Sequence, residues 1–119
     1  MLNMTPHPLN IHLETGEVVT LQPEGVTPRL GVEREELGHV NGIPVVRSTM
    51  GAPQGLPEQR RDTVIIVSAL VAEHPALANR IDLACPGEAI RNENGQVVGC
   101  RGLCAGQGMA ARMRKGGEA

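Results

Sequence analysis

The sequence predicts a small α+β domain, mainly an antiparallel β-sheet with one or two short helices, that associates with copies of itself. Three observations carry this prediction. Asn41-Gly42 and Asn94-Gly95 each lie between apolar runs, the strongest short-range hairpin signal. Thr63-Val64-Ile65-Ile66-Val67 is a continuous β-branched run, as in a strand buried on both faces. Fifteen Gly and nine Pro in 119 residues imply many turns and few long helices.

Taken in order, Leu9 to Leu13 alternates apolar and polar residues, Thr15-Gly16 turns the chain, and Val18 to Leu21 returns as the second strand of a hairpin. Val26 to Val32 reads as a strand that Pro28 confines to an edge or a bulge. Leu37 to Val40 and Ile43 to Met50 flank Asn41-Gly42 as a second hairpin, and Gly51 to Pro57 reads as an irregular flap or pocket rim. After the core strand, Ser68 is placed to cap a helix over Ala69 to Asn79, kinked or split at Pro75. Ile81 to Ala84 reads as a strand, Pro86-Gly87 as a turn, and Ala89 to Arg91 with Gln96 to Arg101 as the third hairpin. One domain is thus expected over residues 1–104, with 105–119 as a flexible basic tail.

Composition narrows the function. Apolar residues make up 40% of the chain, yet Phe, Trp and Tyr are all absent, so the core must be packed from smaller side chains. So lean a core suggests a homo-oligomer, a dimer or larger. The net charge of −2 offers no field for polymeric nucleic acid or an anionic membrane. The opening residues lack a signal-peptide pattern and no apolar run reaches the roughly 20 residues of a membrane span, so a soluble cytoplasmic protein is expected. Cys85, Cys100 and Cys104 are an odd set without a second tight pair, which favours free thiols over disulfides or zinc.

No nucleophile and base, convergent carboxylates, metal cluster or phosphate-binding glycine loop is legible, so no catalytic residue, metal or cofactor is expected. His7, between Pro6 and Pro8, has a restricted backbone and reads either as a turn-closing residue or as a site residue. Arg47-Ser48-Thr49, with Arg91-Asn92 and Arg101, would present guanidinium forks, hydroxyls and an amide to phosphate, ribose or a base edge. Equally, each arginine could simply solvate a sheet face.

The opening Asn3-Met4-Thr5-Pro6-His7-Pro8-Leu9-Asn10-Ile11 resembles the N-L-T-P-H start of a family of small phage and bacterial proteins, the first type of phage anti-Thoeris sponge. Similar blocks follow in order: Gly42 to Gly51, Gly55-Leu56-Pro57, Ile65 to Ala72, and Pro86-Gly87 through Ile90 to Leu103, so the resemblance spans residues 3–103. It implies a homo-oligomeric α+β protein that sequesters a cyclic ADP-ribose isomer, in some members also cyclic oligonucleotides, without cleaving it, at protomer junctions. Arg47, Arg91 and Arg101 would then meet phosphate and ribose, with Ser48, Thr49, Met50, Asn92 and His7 beside them. Family members often carry stacking aromatics, for instance at Met50 or Ile65, and this chain has none. Two alternatives stand beside the sponge: a protein-interaction module that inhibits a host enzyme directly, and a nucleotide-degrading enzyme using His7 as acid or base.

Overall fold

The structure, a computed structural model, describes residues 1–116. Six strands form one sheet: β1 (Leu2–Asn3), β2 (Leu9–His12), β3 (Val18–Leu21), β6 (Ile65–Ile66), β7 (Leu83–Arg91) and β8 (Val97–Ala105), in the order β1-β6-β7-β8-β2-β3. Two others, β4 (Arg29–Val40) and β5 (Ile43–Gln54), pair only with each other. Two α-helices complete the fold, α1 (Ala69–Ala72) and α2 (Gln107–Arg114), with a 3-10 turn at Pro75–Leu77 between α1 and β7.

The β-branched run behaves as its composition demands. Ile65 and Ile66 are fully buried and point to opposite faces: Ile65 packs with Met4, Val67, Val71 and Leu83, Ile66 with Ile11, Ala84, Cys100 and Met109. Helix α1 covers the first face through Val71 and α2 the second through Met109. Ser68 caps α1 by accepting the Val71 N–H, and Pro75 splits the helical segment, the His74 imidazole accepting the Ala76 N–H to start the 3-10 turn.

The sheet is mixed, whereas an antiparallel one was expected. β2/β3 and β7/β8 are antiparallel, but β1/β6, β6/β7 and β2/β8 are parallel. Between β6 and β7 the short helical crossover returns the chain to the end where β6 began, which makes the pair parallel. Pro86-Gly87 is not a turn but part of β7. The Gly106 N–H donates to Leu83 O, and Val67 N–H donates to Ala84 O, so alternate β7 residues address β8 and β6. Pro86 falls on the β6-directed set, beyond the last β6 rung, where its missing N–H costs nothing.

Residues 105–116 are likewise not a flexible tail. Ala105 closes β8 and α2 docks on the sheet, with Gly108 and Met109 buried. Gly108 makes this docking possible, because a Cβ there would collide with the Arg80 carbonyl. The expectation for 117–119 lies outside the described residues.

The Asn41-Gly42 hairpin forms as expected, with φ of 51° and 76° at the two turn residues. Its strands are longer than predicted. β4 begins only after Pro28 and runs on without a break to Val40, bending at register shifts near Leu30 and Glu36. β5 continues through the expected Gly51–Pro57 loop as far as Gln54, tolerating Pro53 because a two-stranded ribbon leaves every second N–H unpaired. Residues 31–50 are exposed throughout, so the hairpin is an arm reaching away from the sheet. The radius of gyration, 17.5 Å, exceeds the roughly 13–14 Å of a compact chain of this length.

Candidate functional site

The arm carries four of the residues singled out from sequence. Arg47 stands opposite Glu35, Ser48 opposite Arg34, Thr49 opposite Glu33 and Met50 opposite Val32. Strand alternation puts Arg47 and Thr49 on one face and Ser48 and Met50 on the other, so one face of the ribbon does not present all four. Arg47 and Thr49 line a hollow of about 160 Å³ with Glu33, Arg34 and Glu35. Around them the arm exposes Val32, Leu37, Val40, Ile43, Val46 and Met50, an apolar surface broken by charges.

Arg91 and Asn92 do not join this group; they build the β7–β8 turn. The Arg91 guanidinium donates to Gly95 O at 2.7 Å. The Asn92 side-chain oxygen Oδ1 accepts the N–H groups of Asn94 and Gln96, at 2.9 and 3.0 Å, and its side-chain amide nitrogen donates to the Gln96 side chain. Asn92 therefore spends its amide on the turn. Arg101, farther along β8 and opposite Glu88, is different. Its guanidinium lies 4.0 Å from the Glu88 carboxylate, both side chains being largely exposed, an arrangement that holds neither firmly. It lines an open hollow with His12, Leu13 and Glu14.

His7 opens onto a cavity of about 600 Å³ between the start of β2 and β8, with Leu9, Asn10, Val98 and Cys100 in its walls. The backbone at His7 is held from below. The buried Asn3 amide donates to the carbonyls of His7 and Leu21, at 2.9 and 3.0 Å, while its oxygen accepts the Thr5 N–H and hydroxyl. The residue's carbonyl, accepting from Asn3 and Thr5, closes the turn, while His7 itself is exposed and stands on a cavity wall. Asn10 beside it is occupied, bonded to Val98 O and Thr20.

One feature escaped the sequence reading. Arg61, Asn79, Arg112 and Lys115 border a cavity of about 460 Å³ between α2 and the Ala78–Ile81 segment, floored by Gly108 and Ala111. Arg112 lies in the last turn of α2 and Lys115 caps its C-terminal end, so both cations come to one end of the helix, a placement legible only once the tail is read as helix. No group of three or more His, Cys, Asp or Glu among the described residues is placed to hold a metal ion. Among the described residues no helix is long and apolar enough to cross a membrane.

Separate hollows thus lie on the chain: that of the arm, that beside Arg101, the His7 cavity and the cationic hollow at α2. In comparisons with known proteins, no family model matches this chain, and no curated protein or solved structure does so either.

Proposed function

We propose that this protein binds and sequesters a small cyclic nucleotide, a cyclic ADP-ribose isomer or a cyclic oligonucleotide, without cleaving it, and so withholds a signal from an antiviral defence. The observation supporting the reading is the arm. Two strands of twelve residues, exposed on both faces, carry Arg47, Ser48 and Thr49 beside uncovered Val, Ile, Leu and Met. An isolated two-stranded ribbon is marginal in water, so a second surface is needed to cover it. A second copy of the chain supplies that surface in this reading, enclosing the ligand between protomers, as expected of a homo-oligomer with a lean aromatic-free core. Arg47 would fork onto phosphate, Thr49 would bond a ribose hydroxyl, and Arg101, loosely held by Glu88, would turn to a second phosphate. With no aromatic ring, Met50 or the plane of an arginine would cover the base.

The experiment is equilibrium dialysis against cyclic ADP-ribose isomers and cyclic dinucleotides, followed by heat release and chromatography of the retained compound. The expected result is retention of one compound, recovered chemically unchanged. The same apolar arm supports a second reading, direct capture of a host enzyme; retention of no nucleotide, with a host protein co-purifying through the arm, would favour it.

A further inference from the structure

Cys85 on β7 and Cys104 on β8 stand directly opposite each other in the antiparallel ladder. The Gly106 N–H bonds Leu83 O, and rungs alternate, so the Cys85/Cys104 rung two residues along is also a hydrogen-bonded one. Opposed Cα atoms in such a rung lie about 5.5 Å apart. A disulfide spans Cα separations of about 4.4–6.8 Å but brings the Cβ atoms to about 3.5–4.5 Å, closer than the roughly 5.5 Å of a hydrogen-bonded rung, so the two strands draw slightly together as the bond closes. The two thiols differ in access: Cys85 is 5% exposed within the cluster of Ile65, Val71 and Leu83, whereas Cys104 is open to solvent. Cys100, the third thiol, packs in the other cluster and donates its S–H to Gly102 O at 3.5 Å.

We propose that Cys85 and Cys104 form a reversible thiol–disulfide pair, oxidised by a low-molecular-weight disulfide of the glutathione class that enters at Cys104. The Cys104 thiolate attacks one sulfur of glutathione disulfide, whose S–S bond breaks and releases one glutathione thiolate. Cys85, giving its proton to solvent, then attacks the Cys104 sulfur and expels the second glutathione. Two protein thiols are oxidised and one disulfide is reduced to two thiols, so no further oxidant is required. The order follows from access, since a glutathione-sized reagent reaches Cys104 and not Cys85.

Closure is the slow step. Burial, then the adjoining Cys104 thiol and the Glu73 carboxylate at the end of α1, push the Cys85 thiol up to about 11. With glutathione on Cys104 that thiol's share is gone, but burial and the Glu73 carboxylate still raise the Cys85 pKa, so its thiolate fraction, and with it the closure rate, should rise about tenfold per pH unit through the neutral range. The finished bond would tie β7 to β8 and stay open to reducing thiols on its Cys104 side.

The test treats the folded, reduced protein with glutathione disulfide, quenches with acid and reads intact mass and linked peptides. Wild type should lose the mass of two hydrogens, yield a Cys85–Cys104 peptide, leave Cys100 alkylatable, and recover fully with dithiothreitol. The exposed-site variant Cys104→Ser should take up no glutathione, and Cys85→Ser should retain one on Cys104. Wild type that halts at a stable glutathione adduct, or a linkage that includes Cys100, would overturn the proposal.

Discussion

Arg80 grips Asp82 at both carboxylate oxygens, Nε to Oδ1 at 2.9 Å and Nη2 to Oδ2 at 3.0 Å, and the Arg60 N–H completes the set at 3.0 Å. The Asp82 side chain is wholly buried and Arg80 mostly so. Burial by itself would raise the carboxyl pKa, but the Arg80 bonds, the Arg60 N–H and the Arg80 charge together outweigh it and hold Asp82 below its ordinary value of 3.8. The pair ties the Arg60 segment to the strand that enters the core.

Removing one partner strands the other. Arg80→Ala should destabilise the fold by about 3 kcal/mol in urea denaturation at neutral pH. Because folding lowers the Asp82 pKa, this stabilisation is present above 3.8 and fades as pH falls through the still lower folded-state value. The gap between wild type and variant should accordingly narrow in acid; a gap that widened there would contradict this account of the pair.

Asn3 serves Thr5, His7 and Leu21 at once, and Asn3→Ala would remove the side-chain donor to the Leu21 and His7 carbonyls and the acceptor of the Thr5 N–H, leaving the His7 carbonyl with the Thr5 hydroxyl alone. The expected cost is about 2 kcal/mol. Limited proteolysis should in addition show earlier cutting near Pro6–Pro8, the segment on the wall of the His7 cavity, while an unchanged digestion pattern would argue against Asn3 as its anchor.

Helix α2 is part of the core, so its removal should be felt. Met109→Ala should cost about 2–3 kcal/mol. Gly108→Val should cost at least as much by driving a side chain into the Arg80 carbonyl. Thermal melts of both variants within a degree or so of wild type would restore the picture of a dispensable tail.

Where the local code speaks for itself, the fold was legible. Asn41-Gly42, Asn94-Gly95, the Ser68 cap and the β-branched run each commit a few residues by steric or hydrogen-bonding preference alone. What was missed depends on partners distant in sequence. Pro86 looks like a turn until β6 is known to stop short of it, and residues 107–114 look like a basic tail until Arg80 and Leu83 supply a docking surface. The same holds for the site. Arg91 and Asn92 carry suitable ligand chemistry, but the turn beside them claims it, a competition that only the register reveals. The cationic hollow of Arg61, Arg112 and Lys115 needs the helix before it exists.

The arginines should separate by role. Asn92→Ala and Arg91→Ala should weaken the β7–β8 turn, the former by about 1–2 kcal/mol. Arg101→Ala, whose partner is a distant exposed carboxylate, should leave stability within about 0.5 kcal/mol. Paired urea melts and nucleotide titrations of the three variants would check this, with affinity lost in Arg101→Ala and stability lost in Asn92→Ala.

If the exposed arm belongs to a site for a cyclic nucleotide, Arg47 should carry part of the affinity. Isothermal titration of wild type and Arg47→Ala with cyclic ADP-ribose isomers reads this out. Tight binding by wild type, weakened about tenfold or more in a variant whose melting temperature is unchanged, is the predicted result, since a charge-assisted bond is worth about 1.5–3 kcal/mol. Equal heats from both proteins, or none from either, would contradict it.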